Sequence, residues 1–423
     1  MIGVKWAAMG IAGSALLCGS AVAQTPNGEW NGSSSRNFND PNNWSNHVVP
    51  DGSILTQFSP AFLTGFKKTT MDTNGVGSSV SGITVDASGG VGGNFSIIGV
   101  HALTIGSSGI AMNQSDNSAS SMEAISCDLI LGADQTWAIT DSSLTVTGNV
   151  FGAQALTISN SGAIGSVTLR GNNTYSGGTT MTGNVLVVAA NSSAFGSGAV
   201  TLNLGAAMGV ASGSTIANQI TVNDGSTVAG YGTIAPASPD TFTFQNGSVI
   251  VGGRGTLGNA AGAMVPGTLT FSNNASLVLG QNGTMQFSIM NATGTAGTDY
   301  SAISSSGTVN ITATPAHPVT IQLVAVNSSG QFQLNSANFN NSTAYSWTLL
   351  SAGSSITGFT GPNQFNVDDT SDFQNPFLGG TFSVSDAGSS LMLSFTPVPE
   401  PATWILMAGG LCAAGAAVRR RCR

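Results

Sequence analysis

A short alternating motif recurs along this chain and constrains its fold more than any other feature. The motif is an apolar residue, a threonine and a second apolar residue, usually followed closely by glycine or asparagine. Because successive side chains of a strand point to opposite faces, this pattern predicts a short strand with one buried face. The copies begin at residues 82, 102, 143, 155, 166, 199, 219 and 268.

The spacing of the copies indicates how the strands are arranged. Several intervals between them lie near multiples of about 20 residues, the length of one solenoid coil. A single short strand cannot bury its apolar face alone, so stacked coils must share one continuous core. Glycine, at 57 of 423 residues, supplies tight corners, whereas the helix-favouring residues Glu and Lys are scarce. We therefore predict an all-β fold, a parallel β-solenoid.

The clearest unit covers residues 169–204. Within it, the residues that form a recognisable pattern are Gly171, Asn173, Thr174, Tyr175, Gly177, Gly178, Thr179 and Thr180. Position by position, this pattern resembles the autotransporter-associated β-strand repeat. The resemblance implies a right-handed parallel β-helix of the passenger type.

Residues 29–52 carry Trp30 and Trp44 among asparagine and proline turns. The segment resembles the start that is common to such solenoid proteins. We interpret it as a cap, in which large aromatic side chains cover the open end of the core. The alternative is a sugar-stacking platform made by the two tryptophans.

The last 26 residues have three parts. They begin with the Pro-Glu-Pro sequence of Pro399, Glu400 and Pro401, in which proline keeps the chain extended. An uncharged apolar stretch, residues 402–418, follows and is just long enough to span a ~30 Å hydrocarbon core as a helix. Arginines then hold the terminus on the cytoplasmic side, namely Arg419, Arg420 and Arg421.

This order of parts closely resembles the PEP-CTERM sorting signal of Gram-negative bacteria. The resemblance implies that the chain is held transiently in the inner membrane by a single transmembrane helix. It further implies that an exosortase, a membrane-embedded cysteine peptidase, recognises Pro399, Glu400 and Pro401 and processes the chain there. The alternative is an ordinary tail anchor that is not processed.

The amino terminus predicts export as well. Residues 1–23 contain a lysine, an apolar run and an Ala-Val-Ala sequence, which together are typical of a secretory signal peptide cleaved between Ala23 and Gln24. We expect signal peptidase to be a partner. A lipoprotein anchored at Cys18 is the alternative, although Leu17 is large for that processing site.

Charge and cysteine content limit the classes of partner and the disulfide bonds that the mature chain can have. Residues 24–398 contain 17 acidic and 5 basic residues, a net charge of −12. Such a surface does not neutralise phosphates, so we expect no nucleic-acid partner. Cys127 is the only cysteine in this range, so no internal disulfide framework is predicted. Its apolar neighbours favour a buried, inert thiol.

Catalytic motifs are absent from the sequence. The three histidines, His47, His101 and His317, are scattered, and neither H-E-x-x-H nor G-x-S-x-G occurs. The one acidic cluster consists of Asp368, Asp369 and Asp372 and is the only metal-site candidate, for calcium. Its spacing does not match a known calcium loop, and we interpret it as a solvated loop. We expect no cofactor and no enzymatic activity.

These features predict five regions: a signal peptide (1–23), a cap (24–80), a solenoid (81–280), a carboxyl-terminal β-region (281–396) and the sorting signal (398–423). We expect a non-enzymatic protein that is exported and delivered to the cell surface or the extracellular matrix, where it associates with exopolysaccharide. The first alternative is an adhesin or carbohydrate-binding β-helix. The second is a polysaccharide-degrading β-helix enzyme, which the five basic residues of the mature chain disfavour.

Overall fold

The structure, a computed structural model, describes residues 28–29, 34–49, 55–58, 69–72, 79–86, 95–113, 122–253, 265–327 and 335–398. These residues form β-strands joined by turns, with short 3-10 turns at Pro41–Asn43 and Pro362–Gln364. The all-β prediction is confirmed for this part of the chain.

The first strands are β1 (Gly28–Glu29), β2 (Leu55–Phe58), β3 (Thr69–Asp72), β4 (Ser79–Asp86), β5 (Phe95–Ile98), β6 (Leu103–Asn113), β7 (Met122–Ile125), β8 (Leu129–Leu131), β9 (Gln135–Thr140), β10 (Ser143–Val146) and β11 (Val150–Phe151). Next come β12 (Leu156–Leu169), β13 (Thr179–Ala189), β14 (Val200–Leu202), β15 (Ala207–Val210), β16 (Thr215–Ile216), β17 (Ile220–Val222), β18 (Thr227–Gly230), β19 (Thr233–Ile234), β20 (Thr241–Phe244) and β21 (Val249–Gly252). The last are β22 (Thr268–Phe271), β23 (Ser276–Leu279), β24 (Thr284–Ile289), β25 (Ala302–Ser305), β26 (Val309–Ile311), β27 (Val319–Ala325), β28 (Tyr345–Ala352), β29 (Ile356–Thr357), β30 (Phe365–Asp372), β31 (Thr381–Asp386) and β32 (Ser390–Thr396).

Parallel pairing stacks these strands into three columns, as in a β-solenoid. The first column runs through β2, β4, β6, β9, β12, β13, β14 and β17, and continues from β20 to β23, β26 and β29. The second runs from β3 to β30 through β5, β7, β10, β12, β13, β15, β18, β21, β24 and β27. The third contains β8 and β11, and later β16, β19, β22, β25 and β28.

The predicted alternation holds in these columns. In β10, Leu144 and Val146 are buried while Thr145 is half-exposed, and β12, β14 and β22 repeat the pattern. Most buried apolar residues of the three columns belong to one cluster that extends from Phe38 to Phe395, and Val324 and Val326 form a second, small cluster. The threonines of the motif therefore face outward, and the apolar residues beside them form the shared core.

Coil length changes along the stack. Paired residues are 20 or 21 positions apart between β13, β15 and β18, as in Leu186↔Ala207 and Ala207↔Thr227. The separation grows to 35 for Val249↔Thr284 and to 46 for Val319↔Phe365. The coil of about 20 residues is confirmed in the middle of the chain, and longer connections widen the later coils.

Candidate functional site at the carboxyl-terminal end and along the solenoid

The predicted processing residues fall outside the described part of the chain. This applies to the sorting motif Pro399, Glu400 and Pro401, to Arg419, Arg420 and Arg421, and to the signal-peptide site at Ala23 and Gln24. The segment 402–418 lies outside it too, and among the residues described there is no helix long and apolar enough to cross a membrane. What the structure does show is the fold that leads directly into the sorting motif.

That fold, which we call the carboxyl-terminal cap (residues 335–398), adds the two antiparallel strands β32 and β31 to the edge of β28 in the last coil. In it β32 lies between β28 and β31, with Trp347 opposite Leu393 and Val384 opposite the same leucine on the other side. Leu391, Leu393 and Phe395 of β32 are all buried. The chain is thus fixed in a sheet up to β32, whose last residue, Thr396, stands three positions before Pro399.

Aromatic rings fill the interior of the carboxyl-terminal cap. The ring of Phe339 lies 4.9 Å from that of Phe395 and 5.3 Å from that of Tyr345, measured between centroids. Trp347 is fully buried, and its Nε1 donates a hydrogen bond of 2.9 Å to the carbonyl oxygen of Ala292 in the preceding coil. The cap therefore closes the end of the core by apolar packing and by a bond to the coil beneath it.

Near the other end of the described chain, Trp44 is packed in a similar way. It is fully buried, packs edge-on against Phe38 with ring centroids 5.3 Å apart, and donates from Nε1 to the carbonyl oxygen of Phe38. A ring with no exposed surface cannot stack on a sugar. The sugar-stacking alternative therefore does not fit Trp44, whereas the cap interpretation stays a prediction, and Trp30 lies outside the described residues.

The acidic cluster differs from the sequence interpretation. Asp368, Asp369 and Asp372 lie on β30, the last strand of the second column, and not in a solvated loop. The loop interpretation is wrong because β27 offers a free edge that the segment joins, with Gln322 Nε2 donating to Asp372 Oδ2 at 3.4 Å. Burial, and then the charge of Asp368, raise the pKa of Asp369. Among the residues described, no three His, Cys, Asp or Glu side chains gather around a common metal position.

The histidines and the cysteine are placed much as the sequence indicates. His47, His101 and His317 are each exposed, and His47 adopts a positive φ of 56° in a turn. Cys127 is fully buried and free of any disulfide. The prediction of a buried thiol is confirmed.

A regular surface feature was not predicted from the sequence. We call it the threonine ladder: Thr136, Thr157, Thr180, Thr201 and Thr221. These five residues are direct register partners on successive strands of the first column. Thr136 and Thr221 are exposed and the other three are half-buried. Neighbouring strands lie about 4.8 Å apart, so the hydroxyls and methyl groups repeat at that interval. Thr157, Thr201 and Thr221 are the central threonines of motif copies, but only the register shows that they align with Thr136 and Thr180.

The large apolar side chains exposed in the described part of the chain are all aliphatic: Val48, Val100, Ile130, Leu204, Val265, Leu378 and Val398. Trp137, the tryptophan nearest the threonine ladder, points inward and donates from Nε1 to Gln135 Oε1 at 3.0 Å. The outward surface of the ladder is therefore made of uncharged hydroxyl, methyl and amide groups. It has the chemistry of a polar binding face and not that of an aromatic one.

The unit at residues 169–204 owes its pattern to contacts between coils. Asn173 is buried, accepts a hydrogen bond from Val150 N at 2.8 Å and donates to the carbonyl oxygen of Ala194 at 2.6 Å. One amide thus joins three successive coils. At Gly171 an added Cβ would lie 2.1 Å from the carbonyl oxygen of Gly148, so only glycine allows the coils to approach this closely.

Comparisons with known proteins identify the end of the chain. Residues 397–421 match the model of the PEP-CTERM protein-sorting motif. The search of curated proteins found no match. The predicted sorting motif is thus confirmed, and the matched segment begins at Pro397, the residue that directly follows β32. This chain carries the tail of an exported protein that is sorted by an exosortase.

Proposed function

We propose that the protein is exported by its signal peptide, held transiently in the inner membrane by residues 402–418 and processed at Pro399, Glu400 and Pro401. Signal peptidase and an exosortase act on it in turn, and the mature chain reaches the cell surface or the extracellular medium. The observation that carries this proposal is the match of residues 397–421 to the sorting motif.

The mature body is, on this proposal, a non-enzymatic structural protein of an exopolysaccharide matrix. Two observations support this role. The threonine ladder presents an uncharged polar surface, and large aromatic side chains such as Trp44 and Trp347 are used to close the core. The contacts of Asn173 and Gly171 support membership of the autotransporter-associated repeat class, whose winding is right-handed, as is usual for parallel crossovers.

Intact-mass measurement of the mature protein tests the sorting step. In cells with their exosortase, we expect the mass of a chain that has lost the residues after the motif, and without exosortase the full tail is retained. The variant Glu400→Ala should accumulate in the inner membrane, because the acidic residue of the recognised motif is missing. The exposed neighbour Val398 provides the matched control, Val398→Ala, which should be processed normally. A mature chain that still ends at Arg423 in wild-type cells would contradict the proposal.

The threonine ladder favours a second candidate function, carbohydrate binding along the solenoid. A regular row of hydroxyl and methyl groups suits a linear, uncharged polysaccharide that repeats its own contacts. Replacing Thr157, Thr180 and Thr201 with valine keeps the shape and removes three hydroxyls. We expect at least a fivefold loss of co-sedimentation with the exopolysaccharide of the producing cells.

The control uses threonines of the second column. Thr145 and Thr168 are register partners there and are half-exposed as well. Their replacement with valine should leave co-sedimentation unchanged. Equal losses in both variants would indicate a general surface effect and would exclude the ladder as the binding face.

A further inference from the structure

The sorting motif follows the folded protein without a spacer. β32 is the central strand of the carboxyl-terminal cap, and its register with β31 extends to the pair Thr381↔Thr396. The next two residues, Pro397 and Val398, belong to the described part of the chain, and Pro399 begins the motif. Only two residues therefore separate the last paired residue from the residues that an exosortase would recognise.

The sequence that connects β32 to the apolar stretch is short and rich in proline. Prolines at 397, 399 and 401 make every residue from Thr396 to Pro401 either a proline or the residue before one. Both kinds of position disfavour helical conformations, so the sequence predicts an extended connection. From Thr396 to Ala402, where the apolar stretch begins, six residues can span at most about 20 Å. While the tail is in the membrane, the cap must stand close to the membrane surface.

We propose that the carboxyl-terminal cap stays folded while the exosortase acts, and that β32 sets the height of Glu400 above the membrane. This inference rests on the sorting function proposed above. The peptidase would then meet a short extended peptide emerging from a rigid domain. The cap thereby positions the scissile region. A flexible linker would not fix the distance between the motif and the membrane.

The opposite route would require β32 to leave the sheet. Leu391, Leu393 and Phe395 would then be exposed, and Trp347 and Val384 would lose their cross-strand partners. The phenyl ring of Phe395 would also leave Phe339 at the centre of the cap. A folded substrate avoids all of these losses, and this favours processing at the membrane without opening.

A covalent lock distinguishes the two routes. Ser346 on β28 and Ser394 on β32 are direct cross-strand partners, and their hydroxyl oxygens lie 3.5 Å apart. Directly paired residues of antiparallel strands are close enough for a disulfide. We therefore choose the double variant Ser346→Cys with Ser394→Cys, in a full-length chain with Cys412→Ala and Cys422→Ala. The control is the same chain with Ser346→Cys alone.

The readout is the fraction of chains with the processed mass, with the disulfide verified by the loss of two hydrogens. We expect the locked chain to be processed within about twofold of the control that carries Ser346→Cys alone. A tenfold loss that reductant restores would show that β32 must open, and would overturn the inference. The unmodified chain, run alongside, tests sorting itself, and retention of its tail would overturn both proposals.

The height is tested by insertion. An eight-residue Gly-Ser segment between Thr396 and Pro397 adds a flexible spacer, and we expect processing to fall at least fivefold. The matched control places the same segment in the β31–β32 turn at Gly388, where an added Cβ meets nothing within 4 Å. That variant should be processed normally. Unchanged processing of the Thr396 insertion would overturn the positioning role of the cap.

Discussion

The middle of the solenoid and its carboxyl-terminal end are held together by different interactions. Between β12 and β18 the coils are short, and buried polar groups such as Asn173 bond one coil to the next. At the end the coils are long, and aromatic rings around Phe339 fill the cap. In a regular stack, the backbone groups of each coil form hydrogen bonds with the equivalent groups of the next coil. Where the stack stops, apolar volume must cover the last coil, which would otherwise expose its core to water.

The largest effect is expected at the cap, from Trp347→Ala. This change removes a fully buried indole and its hydrogen bond to Ala292, and large-to-small changes of this kind cost about 3–5 kcal/mol. The free energy of unfolding, measured with urea, checks it. The variant Trp347→Phe, which keeps a ring, should lose clearly less. Equal losses for the two would show that the hydrogen bond, and not the ring, closes the end.

The middle of the solenoid is tested by Asn173→Ala. The change leaves Val150 N–H and the Ala194 carbonyl group without their partner, and each buried unsatisfied group costs about 1–3 kcal/mol. We therefore expect a loss of about 2–4 kcal/mol in urea unfolding. The neighbouring Asn172 is exposed, so Asn172→Ala is the matched control and should change stability little. Similar losses at both positions would contradict the coil-bridging role.

A smaller effect is expected from Tyr175→Phe. The hydroxyl of Tyr175 is hydrogen-bonded to Thr179 Oγ1 at 2.5 Å, and such a bond contributes about 1 kcal/mol. Burial raises the pKa of Tyr175. Its contribution to stability is therefore complete below the pKa of the unfolded tyrosine, near 10, and is lost as the pH rises above that value.

Unfolding measured across alkaline pH checks the sign. The wild-type protein should lose stability more steeply than the variant above about pH 10, where unfolded tyrosine ionises. Parallel curves would show that Tyr175 ionises as readily in the folded protein as in the unfolded chain.

The smallest effect is expected from Asp369→Asn on β30. Burial and the charge of Asp368 raise the pKa of Asp369, so its ionised form is disfavoured in the fold. The folded state is therefore favoured at low pH and loses that advantage as the pH rises through the folded pKa. Because Asp369 is only partly buried and water screens its charge, the variant should gain less than about 0.5 kcal/mol at pH 7. The gain should disappear near pH 3, and a gain that persists there would contradict the electrostatic cause.

The alternation of apolar residues and threonine was sufficient to predict strands such as β10, which carries its motif residue for residue. Coil length was predictable in the middle, where the turns are short and uniform. The alignment of Thr157 with Thr180 was not predictable, because strand register also depends on irregularities such as the shift between Asn160 and Gly165. Local sequence does not specify how far a bulge moves one coil against the next.

The acidic segment on β30 is a strand that composition alone did not predict. Its composition is typical of a loop, yet the segment is extended in β30, where Asp368 pairs with Gln322 and Asp372 pairs with Val324 of β27. Among the strands described, β27 is the only one that pairs with β30. Charged side chains on a terminal strand discourage pairing with another molecule. The charges were visible in the sequence, but only the pairing of β30 with β27 shows that they protect the edge of a terminal strand.

The uniform coils between β13 and β18 have a consequence for how such a chain can change over generations. Each coil contacts only its neighbours, so a duplication or deletion of about 20 residues there would preserve every remaining interface. The two ends are not repeats of this kind: Trp347 bonds to Ala292 of one specific coil, and Trp44 packs against Phe38 of its own segment. The number of interior coils can therefore change from one generation to another, while the two ends and the sorting tail stay unchanged.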